Sequence, residues 1–265
     1  MSQEEYIHLV SQSPLVVFLR KVRVALTPPG MTLTAKLENN VLVRGRNKAG
    51  WGGRGIYIFR EDLEPELRLL PKLIPSGGVF VDIGANVGVF SLSAAAAVGP
   101  NGQVIAVEPF PDIYAQLYRN VSSNGFGAIV RTRNFCISDK TGPTTLWMNH
   151  GRPHSFSLNR EGESDGLSVL SIRLDDLAAW EQIKRLDYLK IDAEGAEVAI
   201  LEGGENTIRR FRPIIQVEDI NRTIYQRLSA YAAFSVPKTR NTLLIPEERL
   251  KALGSELGGA WARLT

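Results

Sequence analysis

The chain has 265 residues, 44% hydrophobic and 22% charged, with 24 Gly and 14 Pro, the balance of a globular protein rather than a disordered or fibrous one. Thirty-one Lys and Arg against 28 Asp and Glu leave a formal charge of +3, too small an excess to demand a nucleic-acid partner. A single cysteine, Cys136, excludes an internal disulfide framework and a multi-cysteine zinc site.

The N-terminus carries Glu4 and Glu5 where a secretory signal needs basic residues, and Arg20, Lys21 and Arg23 interrupt the apolar stretch from Pro14 to Leu26. No stretch approaches the roughly 18 uninterrupted apolar residues of a membrane span. A cytoplasmic protein is the expectation. Residues 3–26 read as a helix, with Tyr6, Leu9, Val10, Val16, Val17, Leu19 and Val24 at near-helical spacing, stopped by Pro28-Pro29-Gly30. Met31 to Tyr57 alternates and turns at Asn39-Asn40, predicting a hairpin followed by a glycine-rich loop at Gly50, Gly52, Gly53 and Gly55. Residues 1–60 are therefore expected to form an α+β appendage, serving as part of an acceptor pocket or as a contact in a homodimer.

From residue 61 helices and buried strands alternate. Glu61 to Leu73 predicts a helix, Val79-Phe80-Val81 a strand, Ser91 to Val98 a helix, Gln103 to Val107 a strand and Asp112 to Ser122 a helix. Ile129 to Ile137 follows as a strand, Tyr188 to Ile191 as another, then a helix over Glu197 to Phe211 and a strand over Pro213 to Val217. That order predicts an α/β, doubly wound, mostly parallel sheet with helices on both faces. Residues 138–174, rich in Gly, Pro, Ser and Asn and holding His150 and His154, are expected to be an inserted substrate loop.

The stretch Val81-Asp82-Ile83-Gly84-Ala85-Asn86-Val87-Gly88 takes a buried strand straight into a glycine turn and then a helix. Glu108 closes the next strand, 24 residues beyond Gly84, where a carboxylate can accept both hydroxyls of a ribose. The dinucleotide fingerprint is not met, because Val89 stands where its third glycine would be, and no Lys-Ser or Lys-Thr completes a phosphate loop. The acid ahead of the turn, Asp82, suits a ligand with a positive group and no pyrophosphate, such as S-adenosylmethionine.

The strings FVDIGANVGVFSL, VIAVEPFPDIYAQLYRN, NFCISDKTG and LDYLKIDAEGAEVAILEGGENTI, in that order between Glu64 and Glu218, resemble the FkbM family of class I S-adenosylmethionine-dependent methyltransferases. The resemblance implies a Rossmann-like sheet of seven strands over residues 61–265, S-adenosylmethionine as cofactor, and O-methylation of a hydroxyl on a sugar, glycolipid precursor or secondary metabolite. It implies that Gly84, Ala85, Asn86 and Gly88 wrap the methionine part of the cofactor with Asp82 supporting the turn, that Glu108 takes the ribose, and that Phe110 lies against the adenine. Asn134 reads equally as an adenine contact or a turn-forming residue. Asp192 and Glu194 fall at a strand end facing the cofactor cleft, whereas Glu197 reads as complementing a helix N-terminus. The base that takes the acceptor proton is Asp192, Glu194 or His154 from the insertion. Asp192 with Glu218-Asp219 offers hard oxygens suited to Mg²⁺, but nothing else supports a metal and none is assigned. RNA methylation, drawing on the pI near 9.0, and a non-catalytic cofactor-binding module are the alternatives. Cys136 reads as buried filler.

Overall fold

The computed structural model describes residues 12–149, 156–158, 164–218, 222–228, 230–236 and 239–253. Helix α1 (Pro14–Leu26) begins with proline at its first turn, where no amide donor is needed. Strands β1 (Thr32–Lys36) and β2 (Leu42–Arg46) pair antiparallel as expected, turning with Asn40 at a φ of 65°. Helix α2 (Arg54–Phe59) follows. The helix expected over Glu61 to Leu73 is absent. Two 3-10 turns, Arg60–Asp62 and Pro65–Arg68, lead to a single turn of helix, α3 (Leu70–Leu73). Pro65 and Pro71 each lack an amide donor and stand in the first turn of a short helical piece instead of inside a long helix.

Strand β3 (Val79–Ile83) runs through the glycine turn into helix α4 (Val89–Val98). Strand β4 (Gln103–Val107), helix α5 (Pro111–Ser123) and strand β5 (Val130–Arg133) follow. The expected strand over Ile129 to Ile137 breaks at Asn134. Its second part, β6 (Cys136–Ser138), joins another sheet with β7 (Gly142–Asn149), β8 (Phe156–Ser157) and β9 (Ser164–Arg173), in the order β6-β9-β7-β8. The described part of the 138–174 insertion is thus largely sheet, in which β7 and β9 pair from Gly142↔Ser171 to Asn149↔Ser164.

Helix α6 (Leu174–Trp180) leads to β10 (Tyr188–Ile191). The helix predicted over Glu197 to Phe211 is split at Gly203-Gly204 into α7 (Glu197–Gly203) and α8 (Glu205–Phe211). A Cβ on Gly203 would lie 2.0 Å from the Ser138 carbonyl oxygen, so that close approach requires glycine. Strand β11 (Ile214–Glu218), helix α9 (Arg222–Arg227), strands β12 (Tyr231–Ser235) and β13 (Asn241–Pro246) and helix α10 (Glu247–Leu253) complete the described chain.

The main sheet has seven strands in the order β12-β13-β11-β10-β3-β4-β5. Strands β11, β10, β3, β4 and β5 run parallel, and β13 lies antiparallel to both β11 and β12. This is the doubly wound, Rossmann-like α/β arrangement. Alternate strand residues feed two cores. Phe80, Val104 and Tyr188 pack with α4 and α5 on one face, and Val81, Ile105 and Leu189 with α6 and α7 on the other. Ala35, Val43, Trp51 and Ile56 from the segment ahead of residue 61 belong to the first core. Among the described residues no helix is long and apolar enough to cross a membrane.

Candidate active site

The chain enters the sheet at β3, proceeds outward to β4 and β5, and returns to β10 on the other side of β3. Strand order therefore reverses between β3 and β10, and the crevice beyond the carboxyl ends of such strands is where open α/β sheets bind ligands. Three of the expected residues converge there: Gly84 after β3, Glu108 after β4 and Asp192 after β10. Gly84 has a φ of +75°, and a Cβ on it would stand 1.8 Å from the Asp192 carbonyl oxygen, so only glycine lets the two strand ends meet. The Gly84 and Ala85 amides both donate to the Val107 carbonyl, at 3.0 and 2.9 Å. Asn86 takes the left-handed conformation, φ 50°, and its Oδ1 accepts the Val87 amide.

Glu108 is 6% exposed. Its Oε2 accepts the Asn86 amide and its Oε1 the Phe110 amide, each at 2.9 Å, which fixes the carboxylate plane. Burial pushes its pKa up to about 7 against the pull of those two amides, with Asp192 and Asp82 adding to the rise. Each oxygen keeps one lone pair free to accept a further donor, so the group fits a vicinal diol. Glu108 lines a cleft of about 770 Å³, counting its open mouth, together with Gly84, Asn86, Asp192 and Glu194. The opposite wall is apolar: Phe135, Cys136 and Ile137, with Leu146 of β7 and Leu158 just beyond β8. Burial lifts the Cys136 thiol to about 12, so it packs rather than reacts.

Asp82 is not on the cleft surface. It is fully buried behind the turn, accepts from Ser91 Oγ at 2.5 Å, and faces the Lys190 ammonium at 3.6 Å. The positive group that this acid meets thus comes from the chain itself. Lys190 Nζ also donates to Asp192 Oδ2 at 3.1 Å and lies 5.1 Å from the centre of the Phe90 ring. Burial opposes its charge, but Asp192 and Asp82 outweigh that and hold its pKa above the ordinary lysine value. Around this cation stand further acids. Burial and then Glu66 raise Glu64 to about 8, and burial and then Asp192 raise Glu218 to about 7. Arg240 pairs with Glu218, and Asn241 Nδ2 donates to Glu64 and Glu66. Asp219 lies outside the described residues. Among those described, no group of three or more His, Cys, Asp and Glu is placed to hold a metal ion.

Other expected residues lie at or beyond the margin of the cleft. Phe110 packs edge-on against Trp51, ring centres 6.0 Å apart. Asn134 is exposed and its Nδ2 donates to the Glu108 and Pro109 carbonyls, pinning the bend between β5 and β6. Gly88 caps α4 at φ +93°, where a Cβ would strike Leu117. Glu194 lines the cleft at φ 48°, and Glu197 Oε1 accepts the Ala193 and Gly195 amides. His154 and its neighbour His150 lie outside the described residues. Sequence reading passed over Lys190, although an ionisable residue in a strand buried on every position, Tyr188–Ile191, is itself a signal. It also passed over the contact of the glycine-rich loop with the turn. Gly50 lines the cleft, and a Cβ on Gly52 would meet Val87 at 2.5 Å and Asn86 Oδ1 at 2.7 Å.

Residues 82–244 match the model of the methyltransferase FkbM domain, more than half of the chain. The chain belongs to the FkbM methyltransferase family. Methyltransferase sdnD of Sordaria araneosa is 28% identical over 177 residues, which is 56% of this chain and 68% of that protein. Hexuronic acid methyltransferase AglP of Haloferax volcanii is 24% identical over 152 residues, 56% of this chain and 59% of AglP. The 2-O-methyltransferase NoeI of Sinorhizobium fredii is 24% identical over 208 residues, 72% of this chain and 83% of NoeI. This FkbM protein is accordingly an S-adenosylmethionine-dependent methyltransferase, and the fixed carboxylate of Glu108 beside the glycine turn fits that cofactor.

Proposed function

We propose that the protein is an O-methyltransferase whose acceptor is a hydroxyl of a saccharide, free or within a glycolipid precursor. The observation that carries the reading is that Glu108 and Asp192 open on the same cleft from either side of the glycine turn. In this reading Glu108 accepts the ribose hydroxyls, the Gly84–Gly88 backbone receives the methionine part, and the Phe135–Ile137 wall lies along the adenosine. S-adenosylmethionine, when bound, supplies a methyl group made electrophilic by its sulfonium. Asp192, steered by Lys190, takes the proton from the acceptor hydroxyl, a contribution of about 10²–10⁴-fold in rate. Alignment of acceptor and methyl group supplies the larger share, on the order of 7–11 kcal/mol. The saccharide acceptor draws on the names of AglP and NoeI.

Two measurements test this. Calorimetric titration with S-adenosylhomocysteine should show binding that Glu108→Ala weakens by at least about tenfold, the loss of two hydrogen bonds to a charged acceptor. Transfer of labelled methyl groups to uronic-acid and neutral oligosaccharides should fall about 10²-fold or more in Asp192→Asn while cofactor affinity stays within about twofold. Full turnover in Asp192→Asn would remove Asp192 as the base. Binding of cofactor with no transfer to any saccharide hydroxyl would remove the acceptor class.

A further inference from the structure

Helix α1 turns its largest apolar side chains outward and holds Val17, Arg20 and Val24 half-buried on its inner side. None of its 13 residues is buried. At about 100° per residue, Leu15, Phe18, Leu19, Val22 and Leu26 fall within about 100° of arc. Leu15, Phe18, Leu19 and Leu26 are 64%, 60%, 57% and 80% exposed. The polar contacts are on the inner side. Arg20 Nη1 donates to the Ile58 carbonyl at 3.0 Å, and Asn47 Nδ2 donates to the Val24 and Thr27 carbonyls at 3.0 and 2.6 Å. The helix carries Arg20, Lys21 and Arg23 and no acid. Lys21 and Arg23, both exposed, lie about 90–110° from the centre of the apolar stripe on either side, with Lys21 Nζ 5.5 Å from the centre of the Phe59 ring.

An apolar stripe with a cation along each edge has the chemistry of a helix that lies flat in an anionic bilayer surface, its stripe in the headgroup–acyl boundary and its cations on phosphates. At about 20 Å long it is too short to span. A second copy of the chain fits this face less well. The stripe offers about 20 by 10 Å, far below the roughly 800 Å² per partner of a stable dimer, and face-to-face pairing brings like charges together. We propose that α1 is an interfacial anchor that docks the enzyme on an anionic phospholipid surface. This goes beyond the acceptor reading and does not depend on it.

The test is co-sedimentation of the full chain with vesicles of phosphatidylcholine, with and without phosphatidylglycerol. Binding is expected only with phosphatidylglycerol, weakening as salt is raised. Phe18→Ser with Leu19→Ser, and separately Lys21→Glu with Arg23→Glu, should each lower the partition by at least about tenfold. S-adenosylhomocysteine affinity should be unchanged in both, which shows that the variants are folded and keeps this result separate from the acceptor assay. Failure of the parent chain to bind, equal binding to both vesicle types, or binding that survives both double changes overturns the proposal. So does a dimer, by sedimentation velocity, that the Phe18 and Leu19 changes dissolve while vesicle binding is absent.

Discussion

Removing the Lys190 ammonium leaves two carboxylates without their cation, and the structure says which one suffers. Asp192 is 43% exposed and can turn to water. Asp82 has no exposure, and its Oδ1 has no hydrogen-bond partner, so the ammonium at 3.6 Å is what offsets its charge. Breaking one side of such a buried pair costs about 3–5 kcal/mol, and Lys190→Met should therefore lose that much in urea unfolding at about pH 8. The deficit should also depend on pH with a definite sign. Burial already raises the Asp82 pKa above its usual 3.8, and loss of the ammonium raises it further. A carboxyl with a raised folded-state pKa contributes its stability below the unfolded value and loses it as pH rises through the folded value. The Lys190→Met deficit should accordingly be smaller at about pH 5 than at about pH 8. Adding Asp82→Asn removes the stranded charge, and the double variant should recover most of the loss, a coupling of about 2 kcal/mol or more. A deficit below about 1 kcal/mol, or one equal at both pH values with no coupling, would refute the account.

Glu108 leads to a pH dependence of binding. With its pKa at about 7 in the free protein, a ligand that donates two hydroxyls needs it ionised, so S-adenosylhomocysteine affinity should fall by up to about tenfold per pH unit below that value. Glu108→Gln should flatten the profile, and a parent profile that is already flat removes Glu108 from the ribose. Gly84→Ala should abolish cofactor binding, since the Cβ meets the Asp192 carbonyl at 1.8 Å. Gly125→Ala has a similar φ of +73° and open space around the Cβ, and should cost only the backbone term of about 1–2 kcal/mol in thermal or urea unfolding. Comparable loss of binding in both would mean that the close approach at Gly84 is not what matters. Asn120 Nδ2 donates to the Arg44 and Val87 carbonyls and its Oδ1 accepts the Arg44 amide, tying β2 to the turn. Asn120→Leu strands those groups and should cost about 3 kcal/mol in urea unfolding, whereas a cost below about 1 would mean that water replaces the side chain.

The central strands could be read from the sequence because each is a short apolar run bounded by turn residues, and the glycine turn because φ values that few residues tolerate leave a mark in residue type. Gly84, Asn86 and Gly88 all have positive φ. The second sheet could not be read that way. Residues Ser164 to Arg173 mix small polar and apolar side chains without strict alternation, which suits a loop as well as a strand, and their pairing with Gly142 to Asn149 spans a long excursion. That sheet supplies Leu146 to the cleft, so this part of the wall had no signature of its own, whereas Phe135 to Ile137 lay in an expected strand. Asn120 was similarly invisible. Its partners Arg44 and Val87 lie 76 and 33 residues away.

The charged centre makes the same point more sharply. Lys190 and Asp82 are 108 residues apart, yet they are register partners on β10 and β3, and side chains at register positions of adjacent parallel strands share a face. Once strand order places β10 beside β3, the ion pair follows from register alone, and a slip of one residue would turn Lys190 into the opposite, apolar core. The ammonium therefore penalises the wrong register as well as steering Asp192 toward the cleft. Lys190 thus pairs with Asp82 inside the sheet and with Asp192 at the edge of the cleft. The Lys190→Met and Asp82→Asn pair separates the two effects. Recovery of stability without recovery of methyl transfer would show that Lys190 also acts on Asp192.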